Sequence, residues 1–224
     1  LAWATSINPT FTVAIGLEAY DNEVLRFHVN KGFSTASWDR AVANLKKHNL
    51  RIKTYLMFKP PFMSEADALD HCVKWIGDVA EHSDEISINP MNIQRGTVID
   101  RLHRHNEYRP PWLWSLVEMI RRAHPLVHPK GGINGDEDQV SRLIVHPTAG
   151  GKIRGSHNCG SCDAEVVAAI ERYAVSGSLQ EFQGLDCSCR QAWEAEVNLE
   201  RQLPVPLGIS KARRGPAVAR LRSP

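Results

Sequence analysis

The chain has 224 residues, a formal charge of +2 and 42% hydrophobic side chains, enough for one sizeable core. No apolar run approaches the roughly 18 residues of a membrane-spanning helix, which excludes that class. Lys211, Arg213, Arg214, Arg220 and Arg222 crowd the last fourteen residues without an acid, so residues 1–210 carry −3 and charge alone makes no case for nucleic-acid binding by the body.

The chain begins at Leu1 without a methionine, and no signal-peptide pattern follows, so a cytoplasmic fragment or processed product is expected. Thr12–Leu17 is a short apolar run that reads as a buried strand. Asp21 can cap a helix carrying Val24 and Leu25. Residues 34–48 place Trp38, Val42 and Leu45 on one helical face. Arg51–Phe58 is a second strand, stopped by Pro60 and Pro61. Ser64 and Asp67 resemble a capping box, followed by Leu69, Cys72, Val73, Ile76 and Val79 on one stripe. Cys72 on that stripe reads as a packed core thiol. Glu85–Asn89 is a third strand, and the alternation is that of a parallel α/β sheet or barrel.

Beyond Gln94–Thr97 a short helix is expected, then another with Pro111 in its first turn and Leu113, Leu116, Val117 and Ile120 inward. Gly131–Gly135 reads as a turn, and Val140–Val145 as a strand. A helix carries Val166, Val167, Ile170 and Tyr173, and a last one runs from Trp193 to Leu203. We divide the chain at 1–125 (barrel portion), 126–205 (cysteine-bearing region) and 206–224 (disordered basic tail).

In parallel α/β folds ligands bind at the carboxyl ends of strands. Glu18, Asn89, Asn92 and Gln94 lie there and could bind hydroxyls, amines or a base edge; Lys53, Lys59 and Arg95 could hold carboxylate or phosphate. Cys159-x2-Cys162 and Cys187-x-Cys189, with 24 residues between the pairs, bring four thiols suited to tetrahedral zinc or to an iron–sulfur cluster. A site without metal is the third alternative, and His157 could replace one sulfur.

The segments VAIGLEAYDNEVLRFHVNKGFS, KTYLMFKPPF, INPMNIQRGTVIDRL, EYRPPWLWSLVE, HPTAGGKIRGSHNCGSCD and GLDCSC occur in one order that resembles the radical S-adenosylmethionine (SAM) proteins of archaeosine biosynthesis, over about residues 11–200. The resemblance implies the carboxyl-terminal part of a partial (β/α)6 barrel with a small four-cysteine metal-binding subdomain. It implies SAM and a 4Fe–4S cluster as cofactors, though no CxxxCxxC motif occurs in this chain. By resemblance, Glu18 contacts the SAM ribose or methionyl group, Lys31 is a further candidate, and Asn89, Asn92 and Gln94 line the adenine or substrate side. The implied partners are a tRNA carrying a lysine-linked 7-deazaguanine and a transglycosylase-like subunit, with no membrane. The implied reaction is C–N cleavage that converts the base to archaeosine. The alternatives are another radical SAM RNA-modifying enzyme, or a zinc-binding RNA or protein interaction module on a decayed barrel.

Overall fold

A computed structural model describes residues 11–128 and 141–203. The Gly131–Gly135 turn, the Val140 end of the fourth strand and the 206–224 tail lie outside the described residues. β1 (Thr12–Glu18), β2 (Arg51–Phe58), β3 (Glu85–Pro90) and β4 (Arg142–Val145) form one parallel sheet in that spatial order. The helices are α1 (Thr35–Lys46), α2 (Glu65–Ala80), α3 (Val98–Arg104), α4 (Leu113–Val127), α5 (Asp163–Ser176) and α6 (Cys189–Gln202).

Local chemistry accounts for most boundaries. The Asp21 carboxylate accepts the N–H groups of Glu23 and Val24, at 2.8 and 3.1 Å, and opens a helical turn at Asn22–Val24. That turn continues as a π-helix, Leu25–Val29, which ends on Asn30 in the left-handed region. Ser64 Oγ accepts the Asp67 N–H at 3.0 Å, capping α2 as its sequence leads one to expect. Two boundaries differ from expectation. Trp112 is the N-cap of α4, so Pro110 and Pro111 precede the helix and neither enters its first turn. α6 begins at Cys189, four residues before Trp193, because the second cysteine pair itself starts the helix.

Register-paired residues of parallel strands point to the same face, and successive residues to opposite faces. Ile52, Thr54, Leu56 and Phe58 therefore share a face with Ile86, Ile88, Leu143 and Val145, and all are buried. This is the helix-covered face, against which α1, α2, α4 and α5 pack. The opposite face carries Ala14 and Gly16, Lys53, Tyr55 and Met57, and Glu85, Ser87 and Asn89. One hydrophobic core runs from Leu17 through Trp38, Trp75, Ile120 and Ile170 to Trp193 and Val197. The cysteine-bearing segment thus shares the core of the strands. Glu200 at the end of α6 accepts the Ala66 N–H in the first turn of α2, at 2.8 Å, tying the last helix to the sheet layer.

Candidate functional site at the strand ends and a four-cysteine metal centre

The pairing of β1 with β2 shifts register between Gly16 and Glu18, and Glu18 has φ +72°. Such a bulge re-aims the side chain that follows it. A Cβ at Gly16 would stand 3.1 Å from Glu18 Oε1 and 3.6 Å from Lys31 Nζ. Both charged groups therefore lie over Gly16, on the face shared with Tyr55 and away from the helices. Lys31 Nζ donates to Glu18 Oε1 at 3.0 Å, so these two residues meet directly. Glu18, Asn30, Lys59 and Phe62 all have positive φ. Asn30 is a helix cap, whereas Glu18 at the end of β1 and Lys59 and Phe62 after β2 are held in sparsely populated backbone conformations.

The other expected residues are placed as follows. Asn89 is exposed on the same face as Met57. Asn92 and Gln94 lie in the loop after β3, where Gln94 Nε2 donates to Asn92 Oδ1 at 2.5 Å. Lys59 is not a free cation: it is buried, and its ammonium donates to the buried Glu65 carboxylate at 2.6 Å. Glu65 also accepts the Trp112 N–H at 2.8 Å, and the Tyr108 hydroxyl donates to the Lys59 carbonyl at 2.7 Å. An ion pair out of water persists only when its remaining lone pairs and protons are satisfied in this way. Lys53 is likewise paired, with Glu85. Arg95 is exposed.

The four cysteines converge. Cys159 Sγ lies 4.0 Å from Cys162 Sγ and 3.7 Å from Cys187 Sγ, and Cys162 Sγ lies 3.7 Å from Cys189 Sγ. All four sulfurs fall within 4.8 Å of one another. Zn–S bonds of about 2.3 Å put tetrahedral sulfurs roughly 3.8 Å apart, so this set fits one ion at its centre. A polynuclear cluster interposes several irons between its ligands and spreads them further. His157 is not among the groups that converge with the sulfurs, and its Nδ1 is 2.8 Å from the Gly155 carbonyl.

The surroundings hold the sulfurs in place. Asp163, the first residue of α5, accepts the N–H groups of Asn158 and Gly160, both at 3.1 Å, and closes the first cysteine loop. Gly160 takes φ +91°, which that turn requires. Gly155 passes so close to the Ala149 backbone that any side chain would collide with it. Asn158 Nδ2 and Trp114 Nε1 donate to Cys162 Sγ and Cys189 Sγ, at 3.3 and 3.2 Å, bonds that favour thiolates. The Cys162 and Ser161 N–H groups bring the Cys159 thiol down to about 6, while burial pushes Cys162 up to about 12. Burial raises the Cys189 thiol as well, so all four sulfurs become thiolates together only with a cation among them to offset their mutual repulsion. Sequence spacing pointed to the ligands but not to Trp114, 45 residues before Cys159. Asp163, beside a cysteine at a helix start, is a signal that was there to be read.

A parallel α/β sheet with charged groups gathered at its strand ends and a four-thiolate centre is the class that these features define. No family model matches the chain. Its fold is similar to that of Methanocaldococcus infernus Elp3 with an N-terminal deletion, with a TM-score of 0.52 and 17% identity, covering 79% of this chain and 37% of that one. More particularly, it is 34% identical over 193 residues to archaeosine synthase subunit beta of Methanosarcina acetivorans, covering 86% of this chain and 53% of that protein. Archaeosine synthase subunit beta of Thermococcus kodakarensis is 35% identical over 188 residues, covering 82% and 54%. An uncharacterized protein of Methanocaldococcus jannaschii is 28% identical over 200 residues, covering 88% and 51%. The chain thus spans about half the length of the curated relatives it matches.

Proposed function

We propose that this chain is the carboxyl-terminal part of a radical SAM barrel that works in archaeosine formation on tRNA. The observation that carries the reading is the 34–35% identity to two proteins named archaeosine synthase subunit beta. The shared fold with Elp3 agrees with it. The strand ends suit the cofactor that the resemblance implies. The glycine at position 16 leaves room over the sheet, and Glu18 there presents a carboxylate that can accept hydrogen bonds from ribose hydroxyls or an α-amino group. Lys31, already paired with Glu18, would orient that carboxylate and balance its charge. Asn89, Asn92 and Gln94 supply amides for a base edge. When bound, SAM and a cluster held outside this chain would supply the radical chemistry that opens the C–N bond of the lysine-linked base. The residues of this chain bind and orient, and the wall of the helix-covered core behind them keeps water from that side.

The four-thiolate centre is proposed as a structural zinc site. Its ligands are all protein sulfurs, with no position left for water, which is the mark of a structural rather than a catalytic ion. The partners are tRNA and a second synthase subunit, and the site of action is the cytoplasm.

The test is reconstitution of the intact protein with its cluster, SAM, the partner subunit and tRNA bearing the lysine-linked base, followed by mass spectrometry of the nucleosides. Archaeosine should appear with the wild type. Glu18→Ala should weaken SAM binding about 10- to 150-fold, the equivalent of about 1.5–3 kcal/mol for a hydrogen bond to a charged group. Absence of archaeosine with the fully loaded wild type rejects the reading.

A further inference from the structure

α3 and its loops form a module at the carboxyl end of the sheet. Ile93, Ile99 and Tyr108 make a small hydrophobic cluster separate from the main core, with Met91 and Leu102 packed against it. The other side of the helix is cationic. Thr97, Arg101, Arg104 and His105 follow i, i+4, i+7, i+8 spacing, one helical face, and with Gly96 they line a cleft of about 240 Å³. The loop 152–155 lies alongside: Arg154 accepts the Ile93 N–H through its carbonyl at 2.8 Å and returns Nε to the Ile93 carbonyl at 3.1 Å.

Asp100 locks the module together. Its buried carboxylate accepts from Arg104, from Arg154 at 2.6 Å and from the Gly96 N–H at 3.0 Å. Those guanidiniums, with the Gly96 N–H, hold the Asp100 carboxyl well below the usual carboxylate range. Arg104 is 67% exposed at its side chain even so, which leaves donors for a second anion. Arg95, Arg101 and Lys152 are exposed as well, as are Val98 (65%) and Ile153 (70%) in the same two segments. Residues 95–105 and 152–154 thus carry five Arg and Lys side chains and one carboxylate, Asp100, on a body whose net charge through residue 210 is negative.

We infer that this cationic face is a docking surface for the phosphate backbone of an RNA. The identity of the partner rests on the tRNA reading above; the surface itself rests on the helix face, the cleft and the locked guanidiniums. Exposed arginines of fixed geometry match phosphate oxygens, and their contribution falls as salt rises because each contact releases condensed counterions. The surface lies on the side of the sheet mouth next to Asn92 and Gln94, so a strand held here would lead a neighbouring nucleotide toward the strand ends.

The experiment is equilibrium binding of an unmodified tRNA transcript to the intact protein over a range of salt concentrations. It compares wild type, Arg95→Ala with Arg101→Ala, and Arg95→Lys with Arg101→Lys. Both arginines are exposed, so the changes spare the core, and the lysine pair controls for folding. The alanine pair should weaken binding on the order of tenfold at low salt and flatten the slope of log affinity against log salt by about 1.4–1.8, while the lysine pair keeps most of both. Unchanged affinity and slope in the alanine pair, with wild type binding tRNA, overturn the surface and leave the tRNA reading standing. No tRNA binding by wild type overturns both. Normal tRNA binding with lost association of the second subunit makes this face a protein interface and also overturns the inference.

Discussion

The two polar regions of this molecule are built in opposite ways. The four-cysteine centre is assembled from two short loops, and each sulfur is positioned by backbone turns, Asp163, Asn158 and Trp114. Its geometry is complete within residues 158–189 and the wall of α4. The strand ends carry a sparser set: one ion pair over a glycine, and amides in a loop. The difference agrees with the tasks proposed for them. A structural ion needs ligands already in place, because its binding energy goes into the fold. A site for a large cofactor and substrate needs polar groups spread around a space, and much of their order comes with what they bind.

Breaking the metal centre should have the larger effect. Cys162→Ser in the intact protein should take the zinc of this site from about one ion per chain to near none, and should expose the α5–α6 layer to proteolysis; metal analysis with limited proteolysis checks both. Acid should act in the same direction. Metal binding needs thiolates and releases protons, so affinity should fall steadily as pH falls. A chelator titration at several pH values measures this. Iron and acid-labile sulfide lost from the intact protein on Cys162→Ser, in place of zinc, would show that the centre is a cluster.

Next comes the buried pair behind the strand ends. Lys59→Met leaves the Glu65 carboxylate buried without its counter-charge and should destabilise by about 3–5 kcal/mol in denaturant unfolding. Replacing both residues with apolar ones should restore much of that loss, which would mark the pair as a device of the fold rather than of the site. Glu18→Ala, at the strand ends proper, should leave the unfolding midpoint almost unmoved while weakening SAM binding. An equal loss of stability would make Glu18 structural and erase the contrast between the two regions.

The smallest effects are local. Ser64→Ala should cost about 1 kcal/mol through the lost cap of α2. Asp100→Asn should speed amide exchange across α3 at neutral pH. The Asp100 carboxyl is lowered in the folded chain, so its contribution is present above the ordinary value of about 3.9 and is lost as pH falls through the folded one. The difference in exchange between wild type and the Asp100→Asn variant should therefore shrink in acid.

How much could be read beforehand differs element by element. The strands Thr12–Leu17 and Arg51–Phe58 were legible as strands because both are apolar-rich runs that end at turn residues. Thr12–Leu17 is not the buried strand expected, however: only its Leu17 is buried, and Arg51–Phe58 is buried on alternate residues. The cysteine ligands were legible because both pairs are local, and local spacing limits where a sulfur can go. The start of α4 was not, since two prolines satisfy the rule for a first turn while the helix waits for Leu113. Lys59 was misjudged for a related reason: at the end of a strand beside two prolines it looks like a ligand-binding cation.

What the sequence determined by itself was the order of strands and helices, the apolar stripe of α2 and the identity of the four sulfur ligands. These depend on periodicity and on neighbours a few residues away. Only the tertiary structure decided that Glu18 turns over Gly16 to meet Lys31, that Glu65 draws Lys59 into the core, and that Trp114 donates to Cys189. It alone brought Arg154 to Asp100 and so set the basic face of α3. Each of these depends on which distant group removes water from a charge or supplies its hydrogen bond, and desolvation is a property of the packed chain, not of any short stretch of it.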